Sequence, residues 1–174
     1  MLAANLYRVL GKKTNIESKD AQDEKVKFIN KNLENYETKL NSMEEELMYA
    51  DKSFSTESFL SGAEKAFKII VSSYKEKNIE SAEKLLSPKV MKAFQEQTEM
   101  QNDIQSFKIT KVKSSIIDIE IVKKLAKVKV KFLSTQKNIY ENKDETISVK
   151  DTWTFEKIIG SNDPTWVLSE VTSE

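Results

Sequence analysis

The sequence predicts an α+β fold, in which helices come first along the chain and antiparallel strands follow. Two patterns support this prediction. Up to about residue 101, apolar residues recur at steps of three and four, which is the periodicity of an amphipathic helix. From residue 107 onward they alternate with polar residues, as in a half-buried strand. We therefore expect helices packed on one face of an antiparallel sheet.

The last two strands are predicted to form a β-hairpin that contains both tryptophans of the chain. Each arm has one apolar face, formed by Ile147, Val149, Trp153 and Phe155 on the first arm and by Trp166 and Leu168 on the second. The turn signal Gly160–Pro164 separates the arms. The hairpin therefore offers large aromatic side chains to the core, and the upstream elements must cover them.

Three further strands are predicted upstream of the hairpin. Their apolar residues are Phe107 and Ile109 in the first, Ile117, Ile119 and Ile121 in the second, and Val128, Val130 and Phe132 in the third. The third strand also carries a row of lysines at positions 127, 129 and 131. Such a row suggests nucleic-acid binding, but Asp118 and Glu120 on the preceding strand offer cross-strand partners. We expect paired charges there.

The helices of the compact domain, residues 51–174, are predicted from caps and apolar faces. Ser55 or Thr56 can cap the first helix, and Ser87 and Pro88 suit the start of the third. The apolar faces are Phe59, Ala63, Phe67, Ile70 and Tyr74 in the first helix, and Val90, Met91 and Phe94 in the third. A short helix, Ile79–Leu86, is expected between them.

Residues 20–50 are predicted to form one long helix with a heptad stripe of Val26, Ile29, Leu33, Tyr36, Leu40, Met43 and Leu47. Such a stripe needs an apolar partner, either the chain's own domain or a second chain. Tyr36 fits the core of a two-stranded coiled coil poorly, and three heptads are near the lower limit for a stable one. We expect a helix that projects from the domain or rests loosely on it, with weak self-association through residues 26–47.

Residues 1–19 combine a short apolar patch with the basic residues Arg8, Lys12 and Lys13. One interpretation is a frayed terminus. The other is a juxtamembrane stub and linker, whose basic residues are attracted to anionic lipid. No apolar run approaches the roughly 20 residues that cross a bilayer.

The overall composition argues against several classes of function. Lys plus Arg and Asp plus Glu are both 28, so the basic excess of a nucleic-acid-binding protein is missing. The chain has no histidine and no cysteine. It therefore lacks the commonest general base, the commonest transition-metal ligand and any thiolate. We expect no metal, no cofactor and no enzymatic activity.

Five segments together resemble the Tim-forty-four-like domain family: Phe59–Phe67, Leu85–Val90, Val128–Phe132, Asp151–Phe155 and Asp163–Leu168. The resemblance covers residues 43–171. It departs from the family at Gln97–Asn102, where many members have an Arg-Glu pair and a glycine. No mitochondrial targeting peptide is visible, and the Lys-, Asn- and Ile-rich composition resembles that of a bacterial relative.

The resemblance implies a nuclear-transport-factor-two-like cone, in which helices cover a curved antiparallel sheet around an apolar pocket. It also implies a binding or scaffold role in protein transport or assembly at a bacterial or mitochondrial inner membrane, with anionic lipid and translocation proteins as partners. The residues at the N-terminal stub resemble the basic junction that follows a transmembrane helix in bacterial members. Pocket or core candidates are Phe59, Ala63, Phe67, Ile70, Phe94, Val130, Phe132, Trp153, Phe155, Trp166 and Leu168.

An alternative interpretation is a cone domain that binds a small molecule or acts on it as an enzyme. Asp151 has the parity of Val149 and Trp153, so a regular strand points it inward. A buried carboxylate has a raised pKa and can act as a general base. We favour a β-bulge that turns Asp151 outward, or a hydrogen bond from neighbouring backbone, because no second catalytic group accompanies it.

Overall fold

The computed structural model describes residues 19–98 and 104–173, with side chains described for 23–97 and 104–172. Its helices are α1 (Lys19–Ala50), α2 (Thr56–Lys75), a 3₁₀ helix (Ile79–Leu85) and α3 (Pro88–Thr98). Its strands are β1 (Ser106–Val122), β2 (Leu125–Ile139), β3 (Asp144–Ile158) and β4 (Val167–Ser173). The strands pair antiparallel in chain order. The predicted α+β class is confirmed.

Strand β1 corrects the sequence prediction, which divided it into two strands. The segment between Ile109 and Ile117 contains no glycine or proline and continues to alternate. Its polar residue Ser114 is satisfied on the helix side, because its hydroxyl donates to Oε1 of Glu64 at 2.8 Å. The pairing with β2 shifts register beside Ile117. That shift places Ile116, rather than Ile117, in the core.

Two of the three lysines in the row on β2 lie opposite acidic residues, as the sequence predicts. Lys129 is the pairing partner of Asp118, and Lys127 is the partner of Glu120 on β1. On its other side Lys127 lies opposite Glu156 of β3. Opposite charges in facing positions stabilise a sheet. The row is therefore part of a mixed-charge outer face.

The predicted helix starts are confirmed. The hydroxyl of Ser55 accepts the backbone N–H of Ser58 at 3.3 Å, and the hydroxyl of Ser87 accepts the N–H of Val90 at 3.4 Å. The backbone N–H of Ser87 also donates to the carbonyl of Leu168 at 2.9 Å. This bond attaches the start of α3 to β4. Helix α2 ends before Lys77, which adopts a positive φ of 56°.

The core lies between α2 and the inner face of the sheet. Its fully buried side chains come from both layers and include Phe67, Ile70, Val128, Val130, Phe132, Phe155 and Leu168. The rings of Phe67 and Phe132 stack with centroids 4.6 Å apart. Trp153 packs on Phe67 at 4.7 Å. This aromatic cluster fixes α2 on strands β2 and β3.

The heptad stripe of α1 divides into an exposed part and a buried part. Val26, Ile29 and Leu33 are each more than half exposed, whereas Leu47 is fully buried in the core. Leu40 and Met43 pack against the same core. None of the described helices is long and apolar enough to cross a membrane.

We expect the two parts of α1 to contribute very differently to stability. Leu47→Ala should destabilise the protein by about 2–5 kcal/mol, because it removes a fully buried side chain and leaves a cavity. Leu33→Ala is the matched control and should change the unfolding free energy by less than about 0.5 kcal/mol. Denaturant unfolding measures both. Equal losses in the two variants would mean that the exposed part of the stripe is also covered.

Candidate functional site

The predicted pocket residues do not line one pocket. Phe67, Ile70, Val130, Phe132 and Leu168 form solid core. The other candidates line two separate cavities, one toward each end of α2. We call the cavity that contains Trp166 the hairpin cavity and the cavity that contains Asp151 the aspartate cavity.

The hairpin cavity lies beside the first half of α2 and has a volume of about 370 Å³. Phe59, Ala63, Phe155 and Trp166 form its apolar wall. The Trp166 ring meets the Phe59 ring edge-on, with centroids 4.9 Å apart. Its polar edge consists of Ser53, Ser55, Ser58 and Lys157. An apolar chamber with a hydroxyl-rich edge suits an amphipathic group.

A buried ion pair lies at the edge of the hairpin cavity. Nζ of Lys157 lies 2.8 Å from Oδ2 of Asp51, with the two side chains 7% and 8% exposed. The backbone N–H and the hydroxyl of Ser53 donate to Oδ1 of Asp51 at 3.0 and 2.6 Å. Burial by itself raises the pKa of Asp51, but the hydrogen bonds from Lys157 and Ser53 outweigh it and hold the pKa below its usual value.

The sequence analysis did not identify this pair, although one signal was present. Lys157 has the same parity on β3 as Trp153 and Phe155, which face the core. A lysine at an inward position requires a buried acid nearby. The partner, Asp51, lies 106 residues away in the chain. Only the folded structure brings the two together.

The aspartate cavity lies beside the second half of α2 and has a volume of about 460 Å³. Tyr74 and Lys75 of α2, Phe94 of α3, and Asp151 and Trp153 of β3 are among its lining residues. Burial raises the pKa of Asp151 to about 6. The carboxyl is therefore largely removed from water, which disfavours its charged form.

The favoured interpretation of Asp151 was wrong. The β2–β3 pairing is regular at this point, with Phe132 opposite Asp151 and Val130 opposite Trp153. No bulge in that pairing turns the side chain outward, and Asp151 lines the cavity with Val149 and Trp153. Burial is the cause of its pKa shift, and no hydrogen bond or ion pair from the described residues offsets it.

Buried polar groups surround the same region, and the sequence analysis did not identify them. Ser134, Gln136 and Asn138 are each buried on the inner side of β2, and the Gln136 amide donates to the Ser134 hydroxyl at 2.9 Å. Within the described residues, Nε1 of Trp153 and Oδ1 of Asn138 have no hydrogen-bond partner. The sequence does contain a signal for them: after Phe132, the inward positions of β2 are occupied by polar residues. These groups give the inner sheet face a polar end.

The chemistry available in the two cavities favours binding. Asp151 shares the wall of the aspartate cavity with a second carboxylate, Glu170, which is exposed and accepts the Thr154 hydroxyl at 3.5 Å. In the described part of the chain, no three Asp or Glu side chains come together in a way that suits a metal ion. The basic residues Arg8, Lys12 and Lys13 lie outside the described residues. The expectations of no metal and no catalysis stay predictions.

We expect the buried ion pair to be required for stability. Lys157→Met should destabilise the protein by about 3–5 kcal/mol, because it leaves the buried Asp51 carboxylate without a counter-ion. The exposed pair of Lys137 and Asp144, 2.7 Å apart with side chains 38% and 51% exposed, is the control. Lys137→Met should cost less than about 1 kcal/mol. Denaturant unfolding measures both losses.

The contribution of the Asp51 pair should also depend on pH in one direction. The pKa of Asp51 is lower in the folded protein than in the unfolded chain, where it is about 3.9. The stabilisation is therefore complete above about pH 4 and is lost as the pH falls through the lower folded-state value. A Lys157→Met loss that stays the same down to strongly acid pH would contradict this.

Comparison with known proteins identifies the family. No curated protein matches the chain. The family model described as the Tim44-like domain matches residues 40–173. That range begins at Leu40, where α1 starts to pack on the core, and it includes both cavities and all four described strands. The chain therefore belongs to the Tim44-like domain family.

Proposed function

We propose that this chain is a non-enzymatic, membrane-associated binding or scaffold module that serves protein transport or assembly at an inner membrane. The observation that carries this proposal is the family match over residues 40–173. A bacterial inner membrane suits the composition, and a mitochondrial one follows by analogy with the family. The partners are anionic lipid and proteins of a translocation or assembly system. Nucleic acid and cofactors have no part in it.

Each of the three segments of the chain has its own proposed role. Residues 1–19 act as a basic stub beside the membrane, with Arg8, Lys12 and Lys13 attracted to anionic headgroups. Residues 20–50 form a helix that connects the stub to the domain. Residues 51–174 carry the partner-binding surface. Each basic residue near an anionic surface contributes roughly 1 kcal/mol, so the stub supports the association without replacing an anchor.

The two cavities are the proposed partner sites within the domain. Both combine apolar walls with a few polar groups, which is typical of sites that hold a ligand or a side chain. Between them the core is solid, with Phe67 and Phe132 fully buried. A partner therefore meets a rigid surface with two depressions, as a scaffold requires.

Site-specific photocrosslinking tests this function in the full-length protein in membranes of its own host. A photoreactive phenylalanine derivative replaces Val171, which is 39% exposed and lines the aspartate cavity. Leu133, 44% exposed on the outer side of β2, is the matched control position. We expect the Val171 position to capture a membrane-embedded transport or assembly protein at a several-fold higher yield. Equal capture at both positions, or capture of soluble proteins alone, would contradict the proposal.

A second candidate function is general-base catalysis by Asp151, and one observation favours it. The pKa of Asp151 is raised to about 6, close to the range in which a general base works at neutral pH. If the favoured proposal is right, however, the protein should not turn over small ketone, ester or epoxide substrates. The Asp151→Asn variant should then have no activity to lose. Glu170→Gln, at the second carboxylate of the same cavity wall, is the control. A turnover lost only in the Asp151 variant would establish an enzyme.

A further inference from the structure

The aspartate cavity holds a carboxylate that the packing of the fold leaves without a partner. Asp151 lies between Val149 and Trp153 on the strand face that lines the cavity. Its carboxylate takes part in no ion pair or hydrogen bond with the side chains that the structure describes, those of residues 23–97 and 104–172. Keeping a charged carboxylate away from water without a counter-ion is unfavourable. A ligand that brings a positive charge would remove this penalty.

Aromatic surface lies in the same cavity. Tyr74 of α2 and Phe94 of α3 line it with ring centroids 5.1 Å apart, and Trp153 lines it from β3. The faces of such rings attract organic cations. Trp153 is only 2% exposed and packs on Phe67, so the partly buried rings of Tyr74 and Phe94 supply the accessible surface. Carboxylate and aromatic rings together form the set that recognises an ammonium or guanidinium group.

The lysines of the cavity wall do not neutralise Asp151. Nζ of Lys75 lies over the ring of Phe107 at 5.9 Å, and Glu145 is the acid that favours its charged form. Lys89 is exposed. Together with Glu170 it also lines a second, charged groove, which is formed with Asp118, Glu120, Lys127 and Lys129 of the outer sheet face. Neither lysine lowers the pKa of Asp151. Burial is the only cause of the shift, and it raises that pKa. The carboxylate is therefore available to a cation from outside.

We propose that the aspartate cavity binds the ammonium or guanidinium group of an organic cation with an apolar stem, and that Asp151 is its counter-ion. This inference rests on the proposed binding function, since it names the chemical group that the partner presents. Two sources supply this group: a free alkylamine, and a lysine or arginine side chain of a partner protein. The cavity, at about 460 Å³, accommodates one such group and its stem.

Titration of the purified full chain with butylammonium, monitored by the two tryptophan indole N–H signals in NMR spectra, tests the proposal. Butylammonium should bind and shift the signal of Trp153, while that of Trp166 in the hairpin cavity stays in place. Butanol is the neutral control and should bind at least about tenfold more weakly, since hydrogen bonds to charged groups are the stronger ones. Equal binding of butanol and butylammonium, or a shift of Trp166 alone, would overturn the proposal.

Two matched variants separate Asp151 from the other carboxylate of the wall. Asp151→Asn should weaken butylammonium binding by at least about tenfold. Glu170→Gln should change it by less than about threefold, because the Glu170 carboxylate is exposed and accepts the Thr154 hydroxyl at 3.5 Å, among the charged residues of the outer sheet face. Full affinity in the Asp151 variant would overturn the proposal. If that variant does not fold, the indole signals of the unmodified protein still decide.

The pH dependence of binding gives a further readout. The charged or titratable groups on the cavity wall are Tyr74, Lys75, Lys89, Asp151 and Glu170. The pKa of Asp151 is raised to about 6, so butylammonium binding should weaken as the pH falls through about 6, when the counter-ion is protonated. The Glu170→Gln variant should keep this pH profile. A profile without a step near pH 6 in either protein would contradict the assignment of Asp151.

The two sources are distinguished with capped single amino acids. Tighter binding of an acetylated, amidated lysine or arginine than of butylammonium points to a protein side chain, and the reverse order points to a free amine. Both results support the proposal. Its failure is distinguishable from failure of the proposed function, because butylammonium titration needs no partner protein. Photocrosslinking at Val171 needs no free amine.

Discussion

The fold depends on the contact between Phe67 of α2 and the aromatic residues of the sheet. Phe67 stacks on Phe132 at 4.6 Å and packs on Trp153 at 4.7 Å, and all three are almost fully buried. This contact lies near the middle of α2. The helix residues before it line the hairpin cavity and those after it line the aspartate cavity. One tight contact therefore produces two separate sites.

The start of α2 is held by electrostatics rather than by aromatic packing. The Lys157–Asp51 pair connects β3 to the loop that precedes Ser55, the cap of α2. The hydroxyl of Thr56 donates to Oε2 of Glu44 at 2.8 Å, so the end of α1 is attached at the same place. A buried ion pair is weak evidence for net stability, but it is satisfied only in one arrangement. We infer that it fixes where α1 and α2 meet the sheet.

The fold class was predictable from the sequence because it depends on local periodicity and caps. Ser55 and Ser87 begin their helices where the sequence placed them, and the inward parity of Trp153 and Phe155 is confirmed. The division of β1 was wrong, because two register shifts and the Ser114–Glu64 hydrogen bond are tertiary features. Periodicity describes single elements and contains no information about bulges or distant partners.

The site was less predictable, since its cavities are spaces between elements. Parity places Asp151 and Lys157 on the inner side of β3, yet it does not show which of them finds a counter-ion. That depends on Asp51, which is distant in sequence. Ser134, Gln136 and Asn138 continue the alternation of β2, but with polar residues at the inward positions. Gln136 lies on the wall of the aspartate cavity, and this position depends on how α2, α3 and β3 pack around it.

The two inward-facing acids of this domain show the difference between a structural and a binding role. Asp51 is surrounded by donors, with Lys157 at 2.8 Å and Ser53 twice bonded to it, and its pKa is lowered. Asp151 has none of these donors, and its pKa is raised. The fold thus provides a full set of donors for Asp51, the carboxylate with a structural role. The second carboxylate, Asp151, lies on the wall of an open cavity without such donors, where its charged form is disfavoured. We therefore assign the Asp51 carboxylate to the fold itself, and we propose the Asp151 carboxylate as the counter-ion of a cationic ligand.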